Sequence, residues 1–130
     1  AIELFEGAPS LLKNLNQTNI EMGIVSSNKL ANVETVLGQC SQLINYKECG
    51  TSLFGKPRKI RSILRKAKKA PGRALYVGDE LRDMESARET GLDICSVTWG
   101  YTLGTALAEQ RPTFLVDNMA DIFRLVKPED

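Results

Sequence analysis

The feature that most constrains this chain is residues 74–83, an apolar run that stops at a glycine and is followed by carboxylates. Its first four residues predict a buried strand, and Gly78 allows the backbone to turn. Asp79, Glu80 and Asp83 then fall at the carboxyl end of that strand, where open α/β sheets bind their ligands. Acidic side chains at such an edge indicate a site for a divalent cation.

The rest of the chain alternates short apolar segments with amphipathic ones. Helices are predicted at 9–16, 30–37, 58–70, 81–90, 105–109 and 120–126, and strands at 20–25, 46–53, 74–77, 94–98 and 114–116. Gly91 is expected to close the helix that begins at Leu81. Alternation of this kind requires right-handed parallel crossovers. We therefore expect residues 1–130 to form one α/β domain, a Rossmann-like three-layer α/β/α sandwich with a mainly parallel sheet.

The composition excludes several kinds of chemistry. The 130 residues contain no histidine, which excludes Ser-His-Asp and Cys-His catalysis and histidine-ligated transition metals. The cysteines number three and are widely spaced, so neither a disulfide framework nor a paired-cysteine zinc site is expected, and a cytoplasmic location fits best. No apolar run approaches the ~20 residues of a membrane span, and residues 1–4 do not begin a signal peptide. No membrane association is expected.

Polar residues also follow the predicted strand that ends at Val25. Ser26, Ser27 and Asn28 lead directly into a helix, so their hydroxyl and amide groups are placed to bind an anion at a helix N-terminus. The alternative for these three residues is an ordinary helix N-cap.

Two further signals belong to the same edge of a parallel sheet. Lys56 precedes Pro57 at the start of a helix. Its position predicts that the ammonium contacts a phosphate, and the alternative is an ordinary surface lysine. Asp79 and Asp83 lie four residues apart, so both face the strand edge if a helix begins near Glu80; otherwise they only complement a helix dipole.

A dense run of lysine and arginine spans residues 56–73. It lacks interleaved aromatic residues, and its apolar positions Ile60, Ile63 and Leu64 recur at helical spacing. We therefore expect the basic residues to form a solvated outer helix face. With a net charge of +1, no binding to nucleic acid is expected.

In combination, four segments resemble the phosphoglycolate phosphatase branch of the haloacid dehalogenase superfamily over nearly the whole chain. These are residues 24–28, 54–57, 77–83 and 97–101. The last segment contains Trp99 and Tyr101, for which packing at a strand end is expected rather than substrate contact. The resemblance implies a magnesium-dependent phosphohydrolase. It implies phosphate binding by Ser26, Ser27, Asn28 and Lys56, a catalytic role for Lys56 and Asp79, and magnesium held by Asp79 and supported by Asp83.

The first motif of that family is missing. No Asp-x-Asp occurs in the sequence, although in the family this motif ends the central strand and supplies the nucleophile, the acid/base and most metal ligands. The chain is therefore expected to be a C-terminal portion without a cap domain, to bind Mg²⁺ weakly or not at all, and to be inactive alone. Because the absent strand lies between those ending at Ser26 and Asp79, we expect a changed sheet, strand donation by a partner chain, or low stability.

The leading hypothesis is a phosphatase for a small phosphorylated metabolite, with a homodimer or strand-swapped oligomer as its expected assembly. A phosphate-binding or interaction module that kept the fold and lost the chemistry is the alternative. A receiver-like regulatory domain is disfavoured because the acids follow a late strand.

Overall fold

The structure is a computed structural model that describes residues 7–100 and 104–126; the expected packing of Tyr101 at a strand end lies outside them. Helices and strands alternate along this part of the chain. They are α1 (Ala8–Gln17), β1 (Gly23–Ser26), α2 (Leu30–Leu37), β2 (Tyr46–Cys49), α3 (Gly55–Ala67), β3 (Leu75–Gly78), α4 (Leu81–Thr90), β4 (Asp93–Val97), α5 (Gly104–Glu109), β5 (Phe114–Val116) and α6 (Met119–Val126). Short 3-10 segments occupy Gly38–Leu43 and Pro71–Arg73.

All strand pairs are parallel, but they form two sheets. β1 pairs with β2, with Ser26 opposite Cys49, and β3, β4 and β5 pair in that order. Within the described residues β1 and β3 do not pair, so each has one free edge. This confirms the expectation of a changed sheet, since the two strands flank the place that the missing first-motif strand takes in the family.

Apolar clusters on both faces of the strands make the fold three-layered. On one face α1, α2 and α6 pack on the strands, around buried residues that include Leu15, Val33, Val97 and Ile122. On the other face α4 and α5 bury Met84, Ala87, Ile94 and Leu107, while α3 packs against β1, β2 and α4. Pairs of helices therefore join the two sheets: α3 with α4, and α1 with α6.

Several element boundaries differ from the sequence prediction, each for a local reason. β1 begins at Gly23 rather than Ile20, because the Ile20 amide donates to the Leu15 carbonyl and completes the end of α1. β2 ends at Cys49 because Gly50 turns the chain with φ of 97°. α3 begins at Gly55 rather than Arg58.

The bounds of α4 and the packing of Trp99 agree with the sequence prediction. α4 spans the predicted residues and ends at Gly91, whose φ of 79° is the left-handed conformation that favours glycine. Among the cysteines, Cys40 and Cys95 are buried, whereas Cys49 is only partly buried. Trp99 is partly buried and packs against the cluster that contains Cys95 and Val97. No described helix is both long and apolar enough to cross a membrane.

Candidate functional site

The first part of the site is residues 26–28, called the anion loop below, at the carboxyl end of β1. The Ser26 hydroxyl accepts hydrogen bonds from the Asn28 amide at 3.1 Å and from Asn28 Nδ2 at 3.3 Å. Ser27 and Asn28 are exposed. The alternative of an ordinary N-cap is wrong, because Lys29 occupies the cap position of α2 and makes no side-chain cap bond. The first turn of α2 therefore keeps donors for an anion.

The second part joins the two sheets at their carboxyl ends. Lys56 lies in the first turn of α3, which follows β2, and its ammonium forms an ion pair of 2.7 Å with Asp83 Oδ1. Asp83 lies in the first turn of α4, which follows β3. The carboxylate side chain is 4% exposed and that of Lys56 26%, so the aspartate is buried and the lysine remains accessible to solvent.

Asp83 accepts two further hydrogen bonds. The Tyr76 hydroxyl donates to Oδ1 at 2.9 Å, and the Glu80 amide donates to Oδ2 at 3.0 Å. Burial, followed by the charge of Asp83 and its hydrogen bond, raises the pKa of Tyr76 well above its ordinary value, so the phenol keeps its proton and remains a donor. Both oxygens of Asp83 are thus occupied by protein donors.

Asp79 directly follows β3 and is partly buried against the turn after β4. Two glycines make this close packing possible. A methyl group on Gly100 would overlap the Asp79 carboxylate, and one on Gly78 would overlap that of Asp83. Residues without side chains are therefore required at both positions for the two aspartates to occupy this edge.

The described residues do not by themselves fit a magnesium site. They contain no group of three or more acidic, cysteine or histidine side chains able to hold a metal ion. Mg²⁺ prefers six oxygen ligands, and both oxygens of Asp83 already accept hydrogen bonds from the protein. A complete site needs oxygens from outside this part of the chain.

Two site residues were not predicted from the sequence. The sequence predicts Tyr76 only as part of a strand, although its register places it opposite Ile94, whose side chain packs beneath α4. The basic run predicts Lys59 on a solvated helix face, and this is wrong: Lys59 is 9% exposed and reaches the ends of β1 and β2. Its position next to Ile60, one turn before Ile63, was the available signal.

The chain is similar to known proteins over most of its length. The profile of the haloacid dehalogenase-like hydrolase family matches residues 1–97. The chain is 33% identical over 128 residues to a phosphoglycolate phosphatase of Synechococcus elongatus, covering 97% of this chain and 60% of that protein. It is 28% identical over 104 residues to an N-acetylmuramic acid 6-phosphate phosphatase of Pseudomonas putida, covering 76% and 47%.

The fold is likewise shared with solved structures. A crystal structure titled as a predicted phosphoglycolate phosphatase from Haemophilus somnus superposes with a TM-score of 0.85 at 23% identity, over 95% of this chain and 57% of that one. The chain thus spans less than two thirds of each of these relatives. Because the family profile covers most of its residues, the chain belongs to the haloacid dehalogenase-like hydrolases.

Proposed function

We propose that this chain carries the phosphate-binding and charge-stabilising part of a magnesium-dependent phosphatase for small phosphate monoesters, similar to phosphoglycolate phosphatase. The ion pair between Lys56 and Asp83 is the observation that carries the proposal. It brings a partly exposed ammonium to the same edge as the anion loop and Asp79. Phosphoryl transfer is catalysed mainly by cations and backbone donors that are already in place.

Each predicted site residue has a role in this proposal. Ser26, Ser27 and Asn28 bind the phosphoryl oxygens, and Lys56 neutralises their charge. Together with oxygens from outside the described residues, Asp79 would hold Mg²⁺, and Asp83 would support that shell while it holds Lys56 in place. The substrate is a small phosphorylated metabolite, and neither nucleic acid nor a membrane is a partner. The three cysteines favour a cytoplasmic location.

The 130 residues alone are proposed to be inactive. No Asp-x-Asp is present to supply the nucleophile and the acid/base of this family. Large apolar side chains are also exposed where the strands end: Leu30 at the start of α2, Leu53 and Phe54 before α3, and Leu81 at the start of α4. Apolar groups around a polar site favour a further covering segment or chain. A homodimer or strand-swapped oligomer would supply one.

The proposal is tested by phosphate binding and turnover. Phosphate added to the ¹⁵N-labelled chain should shift the amide signals of the anion loop, and Lys56→Met should weaken that binding about tenfold because a charge-assisted contact is lost. Lys66→Met is the matched control, since Lys66 lies on the same helix and pairs with Glu48. Equal binding by all three proteins, or none by the wild type, contradicts the proposal.

The alternative is a phosphate-binding module that kept the fold and lost the chemistry. Turnover by the isolated chain tests only the proposed inactivity, because both functions predict none. With an aryl phosphate and Mg²⁺, the chain alone should show no hydrolysis. Hydrolysis that Asp79→Asn abolishes would refute the proposed inactivity. The sequence encoded upstream of Ala1 decides between the two functions. A predicted strand there that ends in Asp-x-Asp supports the phosphatase, and its absence supports the binding module.

A further inference from the structure

Lys59 is a buried lysine to which the proposed chemistry gives no role. It lies on α3, one turn after Lys56, and is 9% exposed. Its ammonium donates to the Ser26 carbonyl at 3.1 Å and to the Gly50 carbonyl. A buried ammonium is costly unless such acceptors surround it, so these contacts define its environment.

Both carbonyls belong to segments that shape the anion loop. The Ser26 carbonyl shares its peptide group with the Ser27 amide, one of the proposed phosphate donors. Gly50 follows β2 directly, and its amide donates to the Asn28 carbonyl at 2.7 Å. Lys59 therefore binds Ser26, the first residue of the loop. It also binds Gly50, whose amide in turn binds Asn28, the last residue of the loop.

These contacts also act on the donor strength of the loop. A hydrogen bond to a carbonyl polarises the peptide group and makes its N–H a stronger donor. The Lys59 ammonium lies on the carbonyl side of the Ser26–Ser27 peptide. Its positive charge therefore also attracts an anion that binds to the N–H on the other side of that peptide. Lys59 does this without itself contacting the anion.

We propose that Lys59 is a positioning residue for phosphate, which fixes the anion loop to the end of β2 and polarises the Ser27 amide. This rests on the proposed phosphate binding by that loop. Lys56 and Lys59 thus have different roles although they lie one turn apart. Lys56 contacts the phosphate, and Lys59 positions the backbone amides that donate to the phosphate.

The experiment compares Lys59→Met with Lys66→Met, an exposed lysine of the same helix. Lys59→Met should weaken phosphate binding about tenfold, measured by NMR titration, and Lys66→Met should leave it unchanged. Amide hydrogen exchange at Gly50 should become about tenfold faster in Lys59→Met, while the amides that pair β1 with β2 keep their protection. A merely structural lysine would instead accelerate exchange throughout that pair of strands.

Three results would overturn the inference: phosphate affinity within about twofold of wild type in Lys59→Met, unchanged exchange at Gly50, or faster exchange throughout the β1–β2 pair. If the wild type itself binds no phosphate, the proposed function fails, whereas the exchange at Gly50 still decides whether Lys59 fixes the loop. If Lys59→Met does not fold, NMR of the wild type tests the inference instead. We expect a trans-hydrogen-bond coupling from Lys59 Nζ to the Ser26 carbonyl carbon. We also expect phosphate to shift the signal of the Ser27 amide. Absence of either signal refutes the assignment.

Discussion

At the residue scale, Asp83 accepts hydrogen bonds from three separate positions, Lys56, Tyr76 and Glu80. Removing a buried carboxylate leaves its partners unpaired, so Asp83→Ala should lower the free energy of unfolding by about 3 kcal/mol. Tyr76→Phe removes one neutral donor and should cost about 1 kcal/mol. Urea unfolding measures both values.

Arg124→Ala is the control for these two variants. Arg124 pairs with Asp121 at 2.8 Å, but its side chain is 74% exposed, and the expected change is below about 0.5 kcal/mol. A loss for Asp83→Ala no larger than that of Arg124→Ala would show that the buried contacts add no stability.

Gly78 tests the close packing of the strand end against α4. A methyl group there would overlap the Asp83 carboxylate, so Gly78→Ala should cost about 2 kcal/mol and displace that carboxylate from Lys56. Gly72→Ala is the matched control because a methyl group at Gly72 meets nothing within 4 Å; it should change stability by less than about 0.5 kcal/mol. Thermal unfolding of the two variants gives the comparison, and equal midpoints would contradict the overlap.

At the scale of elements, local patterns predicted α4 fully but α3 only in part. α4 has Asp83 in its first turn and Gly91 at its end, which are local signals. The start of α3 has Pro57 in its first turn but no capping residue, because Phe54 precedes it without a side-chain cap. Helical spacing identified the buried face of α3, yet the acceptors of Lys59 lie nine and thirty-three residues away in the chain. Only the tertiary fold reveals them.

The uncapped start of α2 leads to a prediction for Lys29. Its backbone already has the extended conformation of an N-cap residue, with φ of −63° and ψ of 145°. Lys29→Ser should therefore stabilise the chain by about 1 kcal/mol relative to Lys29→Ala, because the serine hydroxyl accepts from a first-turn amide. Urea unfolding of both variants measures the difference. Equal stability would mean that the first turn already lacks a free donor.

At the scale of the whole molecule, the stability should fall in alkaline solution. Burial, and secondarily the charge of Asp121, raises the pKa of Cys95 from 9.0 to about 11. Above pH 9.0 the unfolded chain loses this proton while the folded chain keeps it, so the free energy of unfolding decreases by up to about 1.4 kcal/mol per pH unit until pH 11. The raised pKa of Tyr76 acts in the same direction above pH 10.0.

Urea unfolding at a series of pH values from below 9.0 to about 11 measures this slope. Cys95→Ala should reduce this slope, because the unfolded variant no longer has the Cys95 thiol to ionise, while Cys40 and Cys49 remain. An identical slope in the variant and the wild type would assign the alkaline loss to other groups.

The arrangement of two sheets predicts the behaviour of the isolated chain. The family resemblance predicts a missing strand between β1 and β3, and within the described residues these two strands do not pair with each other. Free parallel strand edges bind further strands, and Val77 on β3 is 42% exposed. We expect the chain either to self-associate through these edges or to unfold at lower denaturant concentration than complete relatives.

A charge at the free edge distinguishes this association from a non-specific one. Val77→Lys should shift sedimentation profiles toward monomer, because a lysine at a strand edge opposes pairing with another chain. Leu115→Lys is the matched control: Leu115 is 41% exposed and lies on β5, at the opposite edge of the same sheet. If Leu115→Lys dissociates the oligomer and Val77→Lys does not, β5 is the contact surface. A strictly monomeric chain as stable as its complete relatives would show that the free edges of β1 and β3 are tolerated in solution.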